Sequence, residues 1–209
     1  MAGHPIFAAI YDRLLDESER KGLADLRGEL LSKASGSTLE LGGGTGANLA
    51  YYPPAVTSLV VTEPDPHMAK RLRARLAAES PGLTSVEVAE VRGESLPYDD
   101  ESFDTVVATL VFCTVQDPAA VAAEAHRVLK PDGKLLFIEH VRDDEGTGRA
   151  RWQDRLERPW GWFAGGCHPN RDTGPLLAAT FGDARIERGE FPGSGTALVK
   201  PLVSGIAVR

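Results

Sequence analysis

Glu40–Leu41–Gly42–Gly43–Gly44–Thr45–Gly46–Ala47–Asn48 is the stretch whose reading decides the fold of this chain. Thr38–Leu41 leads into it as a short strand. Glycines at 42, 44 and 46 then let the backbone turn tightly and approach a ligand closely, which a Cβ would block. A second strand, Ser58–Glu63, ends in an acid 21 residues after Gly42. Open parallel sheets bind ligands at the carboxyl ends of their strands, and a ribose-binding acid is expected at this spacing.

Outward from that unit the pattern repeats. Residues 1–34 read as helical, with Leu23, Leu26 and Leu30 on one face. A short helix ends at Tyr51–Tyr52–Pro53. Asp65–Pro66 caps a helix striped by Met68, Leu72 and Leu76, which Pro81–Gly82 stops. Thr84–Val88 is a third strand. Phe103–Thr109 is a fourth, apolar throughout as a strand covered on both faces should be. Asp117–Pro118 opens a helix with Val121, Ala125, Val128 and Leu129 on its apolar face. The turn Lys130–Pro131–Asp132–Gly133 delivers a fifth strand, Lys134–Val141. Helical stretches at 149–164 and 172–181 and strands at 184–190 and 200–208 close the chain. Strands alternating with helices mean βαβ units and a parallel sheet, so residues 1–209 form one α/β domain.

Composition removes several function classes. Thirty acidic against 23 basic residues give a net charge of −7, unlike a protein that tracks a nucleic-acid backbone. The longest apolar run, Val106 to Val115, is half the roughly 20 residues of a membrane span, so no membrane anchor is expected. Residues 1–17 lack a signal peptide's basic start and apolar core. Two cysteines, 54 positions apart, suggest reduced thiols and a cytoplasmic location, with one bridge left open. Cys113, His140, Cys167 and His168 have no C-x-x-C or H-x-x-x-H spacing, and no metal site is expected.

Gly42, Gly44 and Ala47 also satisfy the dinucleotide fingerprint G-x-G-x-x-A, so the turn alone leaves two cofactors open. Glu40, two residues before the first glycine, suits a cationic cofactor and would repel a pyrophosphate facing it. The acid-bearing loop Gly93–Glu94–Ser95–Leu96–Pro97 follows the third strand, and no Tyr-x-x-x-Lys pair follows it. With Glu63, these motifs resemble the class I S-adenosylmethionine-dependent methyltransferases. That resemblance implies a Rossmann-like, seven-stranded, mostly parallel sheet with helices on both faces and an antiparallel C-terminal strand. The strings LELGGGTGANLAYYPP, VATLVFCTV, HRVLKPDGKLLFIEHV and WQDRLERPWGWFAGGCHPNRDT cover roughly residues 38–175. They are similar to the thiol S-methyltransferases of animal endoplasmic reticulum and lipid droplets and their bacterial relatives. The last string carries that narrower resemblance. Animal members begin with a hydrophobic anchor and this chain with a polar-mixed helix, so membrane residence is not carried over.

The resemblance implies S-adenosylmethionine as cofactor, leaving as S-adenosylhomocysteine, and assigns residues to it. Glu40, Gly42, Gly43, Gly44, Thr45, Gly46 and Asn48 would hold the methionine moiety, and Glu63 both ribose hydroxyls. Pro64 and Met68 would lie near the adenine, with Gly93, Glu94, Ser95 and Leu96 on its other side; Met68 reads equally well as core. Thr109, Leu110 and Val111 would face the sulfonium, and Tyr11 would close over it from residues 1–34, a helical extension acting as lid. Residues 149–181 form a second lid, on the acceptor side.

The acceptor is expected to be a small, largely apolar molecule, a thiol first, because a thiol needs only a mild base. His140, at the end of the fifth strand, is the first candidate for that base and His168 the second. Trp152, Leu156, Trp160 and Phe163 recur on one helical face, kinked by Pro159, and read as core packing or else as an apolar acceptor pocket. Cys167 and Arg171 lie in the same lid; Arg171 reads as a helix cap before an acceptor-carboxylate ligand, and Cys113 as a small core residue. Three alternatives stand beside thiol methylation. They are N- or C-methylation of phosphatidylethanolamine or a quinone precursor, a nicotinamide oxidoreductase, and a cofactor-binding protein without catalysis.

Overall fold

Strand β4 (Phe103–Thr109) is buried on both faces, lying between β1 (Gly36–Leu41) and β5 (Leu129–His140) in the middle of the sheet. The computed structural model describes residues 5–79, 83, 85–193 and 197–209. Outward from β1 follow β2 (Val56–Thr62) and β3 (Val86–Ala89). Beyond β5 lie β7 (Pro201–Val208) and then β6 (Asp183–Glu190). Strands β1 to β5 pair in parallel, and β7 enters antiparallel between β5 and β6. The expected seven-stranded sheet with its antiparallel C-terminal strand is therefore present.

Side chains alternate across the sheet, and each face has its own core. Val106 and Phe137 pack with Val121, Ala125 and Val128 of α4 (Pro118–Val128) and Leu177 of α6 (Thr173–Phe181). Val107 and Leu136 face the other way, onto Leu23, Leu30 and Leu31 around α2 (Ala24–Leu31) and Leu72 of α3 (Pro66–Glu79). Asp117 caps α4 as read, its carboxylate accepting from the Ala119 and Ala120 amides. Because β1 has β2 on one side and β4 on the other, the chain reverses direction there, and a crevice opens beyond the carboxyl ends of both.

Several expectations shift. The N-terminal helical stretch divides into α1 (Pro5–Ser18) and α2 because Gly22 takes φ +130°, a conformation closed to most side chains. The helix before Tyr51–Tyr52–Pro53 is a single 3₁₀ turn, Leu49–Tyr51. The turn at 130–133 is a bulge carried within β5, with Asp132 at φ +63° and regular pairing resuming at Lys134. Pro81–Gly82 and Thr84 lie outside the described residues.

The largest correction is on α5 (Gly148–Phe163). Its aromatic face packs neither on the core nor around a pocket. Trp152 is 54% and Phe163 73% exposed, Leu156 and Trp160 are half-buried, and the helix runs on through Pro159. A polar residue seats it instead. Buried Gln153 donates to the carbonyls of Val141, Pro169 and Leu198 at 2.7–3.1 Å and accepts from the Asp143 amide. No helix among the described residues is long and apolar enough to cross a membrane.

Candidate cofactor and acceptor site

The glycine turn hangs on Glu63. Its Oε2 accepts from the Gly44 amide and its Oε1 from the Asp65 amide, both at 2.8 Å, which leaves each oxygen a further lone pair for a ligand. Burial pushes the Glu63 carboxyl above its ordinary range, against the opposing pull of the two amides. Gly42 and Gly44 both take φ +57°, and a Cβ on Gly43 would stand 2.2 Å from Val61 Cγ1. The motif thus combines two demands: left-handed backbone at 42 and 44, and close strand contact at 43.

Four amides of the turn are already engaged inside the protein. Gly42 donates to Thr62 Oγ1, Gly43 to the Thr62 carbonyl, Gly44 to Glu63 and Gly46 to the Gly43 carbonyl. A pyrophosphate needs such amides free. The carboxylate of Glu63, with its lone pairs, fits a ribose diol, and the acidic surroundings fit a cation.

A cavity of about 420 Å³ runs along this edge, within the usual range for small-ligand sites. Tyr11, Gly42, Gly44, Glu63, Pro64 and Met68 line it, with Gly93, Glu94, Leu110 and Val111. Met68 lines the cavity and is also nearly buried on its helix. Glu94 accepts from the Gln116 amide at 2.9 Å, which fixes its carboxylate at the rim. Ser95 and Leu96 do not line the cavity. Leu96 is buried in the core, and its amide donates to Glu124.

A second recess, about 20 Å³, lies against the same turn and is lined by Tyr11, Arg27, Glu40, Gly43, Thr45, Asn48 and Thr109, among others. Arg27 was not legible as a site residue. It is 3% exposed; its Nη1 donates to Asn48 Oδ1 at 2.8 Å and Thr109 Oγ1 at 2.9 Å, and its Nε to Glu19 at 3.0 Å. Asn48 donates on to Glu40 Oε1, and Tyr52 donates to Oε2, both at 2.8 Å. Burial pushes the Glu40 carboxyl up, while Tyr52, Asn48 and Arg27 work against it. Both carboxylate oxygens of Glu40 are thus engaged within the protein, by Asn48 and Tyr52. Thr45 donates to Asp12 at 2.5 Å, tying the turn to α1.

The other end of the cavity is lined by Phe7, Thr114, Val115, Gln116, Gly165, Gly166 and His168. His168 is paired through Nδ1 with Glu157 Oε1 at 2.7 Å. His140 does not line the cavity. It is 5% exposed, its Nε2 lies 3.0 Å from Cys167 Sγ, and its Nδ1 finds no partner among the described residues. Cys167 also lies behind the wall and accepts from Trp160 Nε1 at 3.2 Å. Hydrogen bonding from Cys113, then His140 and Trp160, holds the Cys167 thiol well below its ordinary range. Trp152, Trp160 and Arg171 are likewise absent from the lining. Arg171 caps no helix: it donates to the Phe112 carbonyl, fastening the loop after β4.

Both cysteines are free and buried. Cys113 is a buried core residue as read, and its sulfur also lies within 4.8 Å of the Cys167 sulfur and a ring nitrogen of His140.

The methyltransferase-domain family matches residues 39–137. The chain is 37% identical over 204 residues to human thiol S-methyltransferase TMT1B, covering 95% of this chain and 81% of that protein. It is 33% identical over 162 residues to phosphatidylethanolamine N-methyltransferase of Cereibacter sphaeroides, covering 75% of this chain and 76% of that one. In fold it is similar to a crystal structure from Thermotoga maritima, described as an S-adenosylmethionine-dependent methyltransferase and possible histamine N-methyltransferase. The TM-score is 0.69 at 21% identity, over 98% of this chain and 97% of the other.

Proposed function

This chain belongs to the class I S-adenosylmethionine-dependent methyltransferases, in the branch that holds the thiol S-methyltransferases, and we propose that it methylates a small, largely apolar thiol. That membership removes the nicotinamide oxidoreductase reading and agrees with the engaged amides of the glycine turn. The observation that carries the acceptor is His168, which lines the cavity that also holds Glu63 and is held at Nδ1 by Glu157.

S-adenosylmethionine, when bound, supplies a methyl group on a sulfonium, an already good leaving group. Glu63 accepts from the ribose hydroxyls through its remaining lone pairs. Pro64, Met68 and Glu94 line the cavity where the adenine would lie, the first two offering it packing surface and Glu94 an acceptor. Arg27, at the recess by the turn, would hold the cofactor's carboxylate, while Glu40 holds Asn48 in place beside it. His168, oriented by Glu157, takes the thiol proton at Nε2. Tyr11 and Phe7 of α1, their rings 5.4 Å apart, close the cavity against water. Alignment of sulfur and methyl in such an enclosure can contribute about 7–11 kcal/mol.

One observation favours a second reading, phosphatidylethanolamine as acceptor. Trp162 and Phe163 are 79% and 73% exposed just before Gly165 at the cavity rim, where an apolar ring beside an indole suits a lipid surface. The test is a matched panel of a small thiol, a phenol, an amine and a phosphatidylethanolamine dispersion, with product read by mass spectrometry. Thiol methylation is expected. Transfer only to the lipid amine moves the assignment to the second reading, and transfer to phenol alone overturns both.

A further inference from the structure

The chain contains two cysteines, and the fold brings both to one histidine. Cys113 lies in the turn after β4, His140 at the end of β5, and Cys167 after α5. Their sequence separations give no ligand spacing. The two sulfurs and one imidazole nitrogen nevertheless lie within 4.8 Å of one another, all three residues being buried. His168, the fourth soft donor of that region, is turned away to Glu157.

Each donor is carried on backbone that is held by something else. The amide of Cys113 donates to buried Glu139 at 3.3 Å, and its carbonyl accepts from the His168 amide at 2.7 Å, which joins the two cysteine loops. His140 pairs with Leu202 in the β5–β7 ladder, and the Cys167 amide donates to the Ala164 carbonyl. The side chains themselves are engaged weakly. Outside the cluster, among the described residues, Cys113 Sγ has a 3.5 Å contact to the Leu110 carbonyl, Cys167 Sγ accepts from Trp160 Nε1 at 3.2 Å, and His140 Nδ1 is buried with no partner. A rigid frame thus presents two thiols and an imidazole chiefly to one another.

The dimensions suit a tetrahedral ion. Zinc bonds of about 2.3 Å to sulfur and 2.0–2.1 Å to nitrogen set donor separations of about 3.8 Å between sulfurs and 3.6 Å between sulfur and nitrogen. The 3.0 Å His140–Cys167 contact needs to open by roughly half an ångström, a side-chain adjustment. Two thiolates and an imidazole are a borderline-to-soft donor set. Their two negative charges cancel those of a divalent ion, so the loaded site is neutral, as burial demands.

We infer that Cys113, His140 and Cys167 form a binding site for one zinc(II) ion, with the fourth position left to a water or an exogenous ligand. The ion clamps the 165–168 segment to the sheet edge and so fixes the wall that carries Gly165, Gly166 and His168. Binding forms two Zn–S bonds and one Zn–N bond and releases the thiol protons to solvent; no electron is transferred.

The test uses untagged, full-length protein, stripped with a chelator and kept reduced. One zinc(II) per chain is expected in competition with a chromophoric chelator, with a rise in melting temperature. Cobalt(II) in its place should show tetrahedral bands and sulfur-to-metal charge transfer, and Cys113→Ser and Cys167→Ser should each lose that absorption while staying folded by circular dichroism. No uptake by the reduced protein overturns the site. So does uptake that neither serine variant alters, which places the ion on other ligands. Should both variants unfold, the wild-type cobalt spectrum decides: an octahedral, oxygen-only spectrum is equally fatal.

Discussion

Glu63 holds Gly44: the carboxylate at the end of β2 accepts the amide of the turn after β1 at 2.8 Å, so acid and glycine motif are one structural unit. Replacing Glu63 with Ala removes the acceptor for the ribose hydroxyls. Cofactor affinity should fall by about 1.5–3 kcal/mol, roughly ten- to 150-fold in Kd, in a calorimetric titration. Unchanged affinity would place the ribose elsewhere.

Acidity should weaken the cofactor earlier than an ordinary carboxylate would. Burial raises the pKa of Glu63, and the ionised form is the one that accepts both hydroxyls. Affinity is therefore complete above the raised pKa and lost as pH falls through it. A Kd series from about pH 8 down to about pH 5 should show the decline starting above the free-glutamate range. A flat series over that span contradicts the assignment.

Gly43 is a packing residue more than a ligand residue. A Cβ there stands 2.2 Å from Val61 Cγ1, and Gly43→Ala should cost about 1–3 kcal/mol through overpacking. The double variant Gly43→Ala/Val61→Ala should recover part of that loss in thermal melts. Strict additivity of the two changes would show that the clash is relieved elsewhere.

Arg27 combines stability and binding. Arg27→Met leaves Glu19 and buried Glu40 without their cation and should destabilise the fold by about 3–5 kcal/mol in urea unfolding. Arg27→Lys keeps the charge but not the reach to both Asn48 and Thr109, so it should fold yet bind the cofactor more weakly. Equal affinity for wild type and the lysine variant removes Arg27 from the cofactor's carboxylate.

His168→Ala should lower thiol turnover by about 10²–10⁴-fold with cofactor affinity unchanged, since the ring lies at the acceptor end. Glu157→Gln should act in the same direction and less, by loosening the ring. Full turnover in His168→Ala would leave proton removal to solvent.

What the sequence made legible is local. The strand–turn–acid order, the cap at Asp117 and the doubly covered β4 follow from spacing within about 30 residues, and the structure has each of them. The missed features are those made by docking distant segments. Arg27 takes no part in any spacing motif, and α2 lays it against Asn48 and Thr109, 21 and 82 positions away. His140 and Cys167 meet across 27 residues, and His168 and Glu157 across 11, without a repeating pattern. On α5 hydrophobic period misled, because one buried glutamine that satisfies three carbonyls determines which side of the helix faces inward.

Strand β7 has a consequence for the order of assembly. It supplies the ladder partners of both β5 and β6, from Lys134–Val208 to Glu190–Pro201, and β6 reaches the sheet only through it. During synthesis, β6 must wait for residues 201–208 to leave the ribosome. Until then β5 shows an open edge to the cell. A chain stalled or clipped short of β7 would be exposed to strand pairing with the wrong partner, and chaperone demand should be highest in that interval.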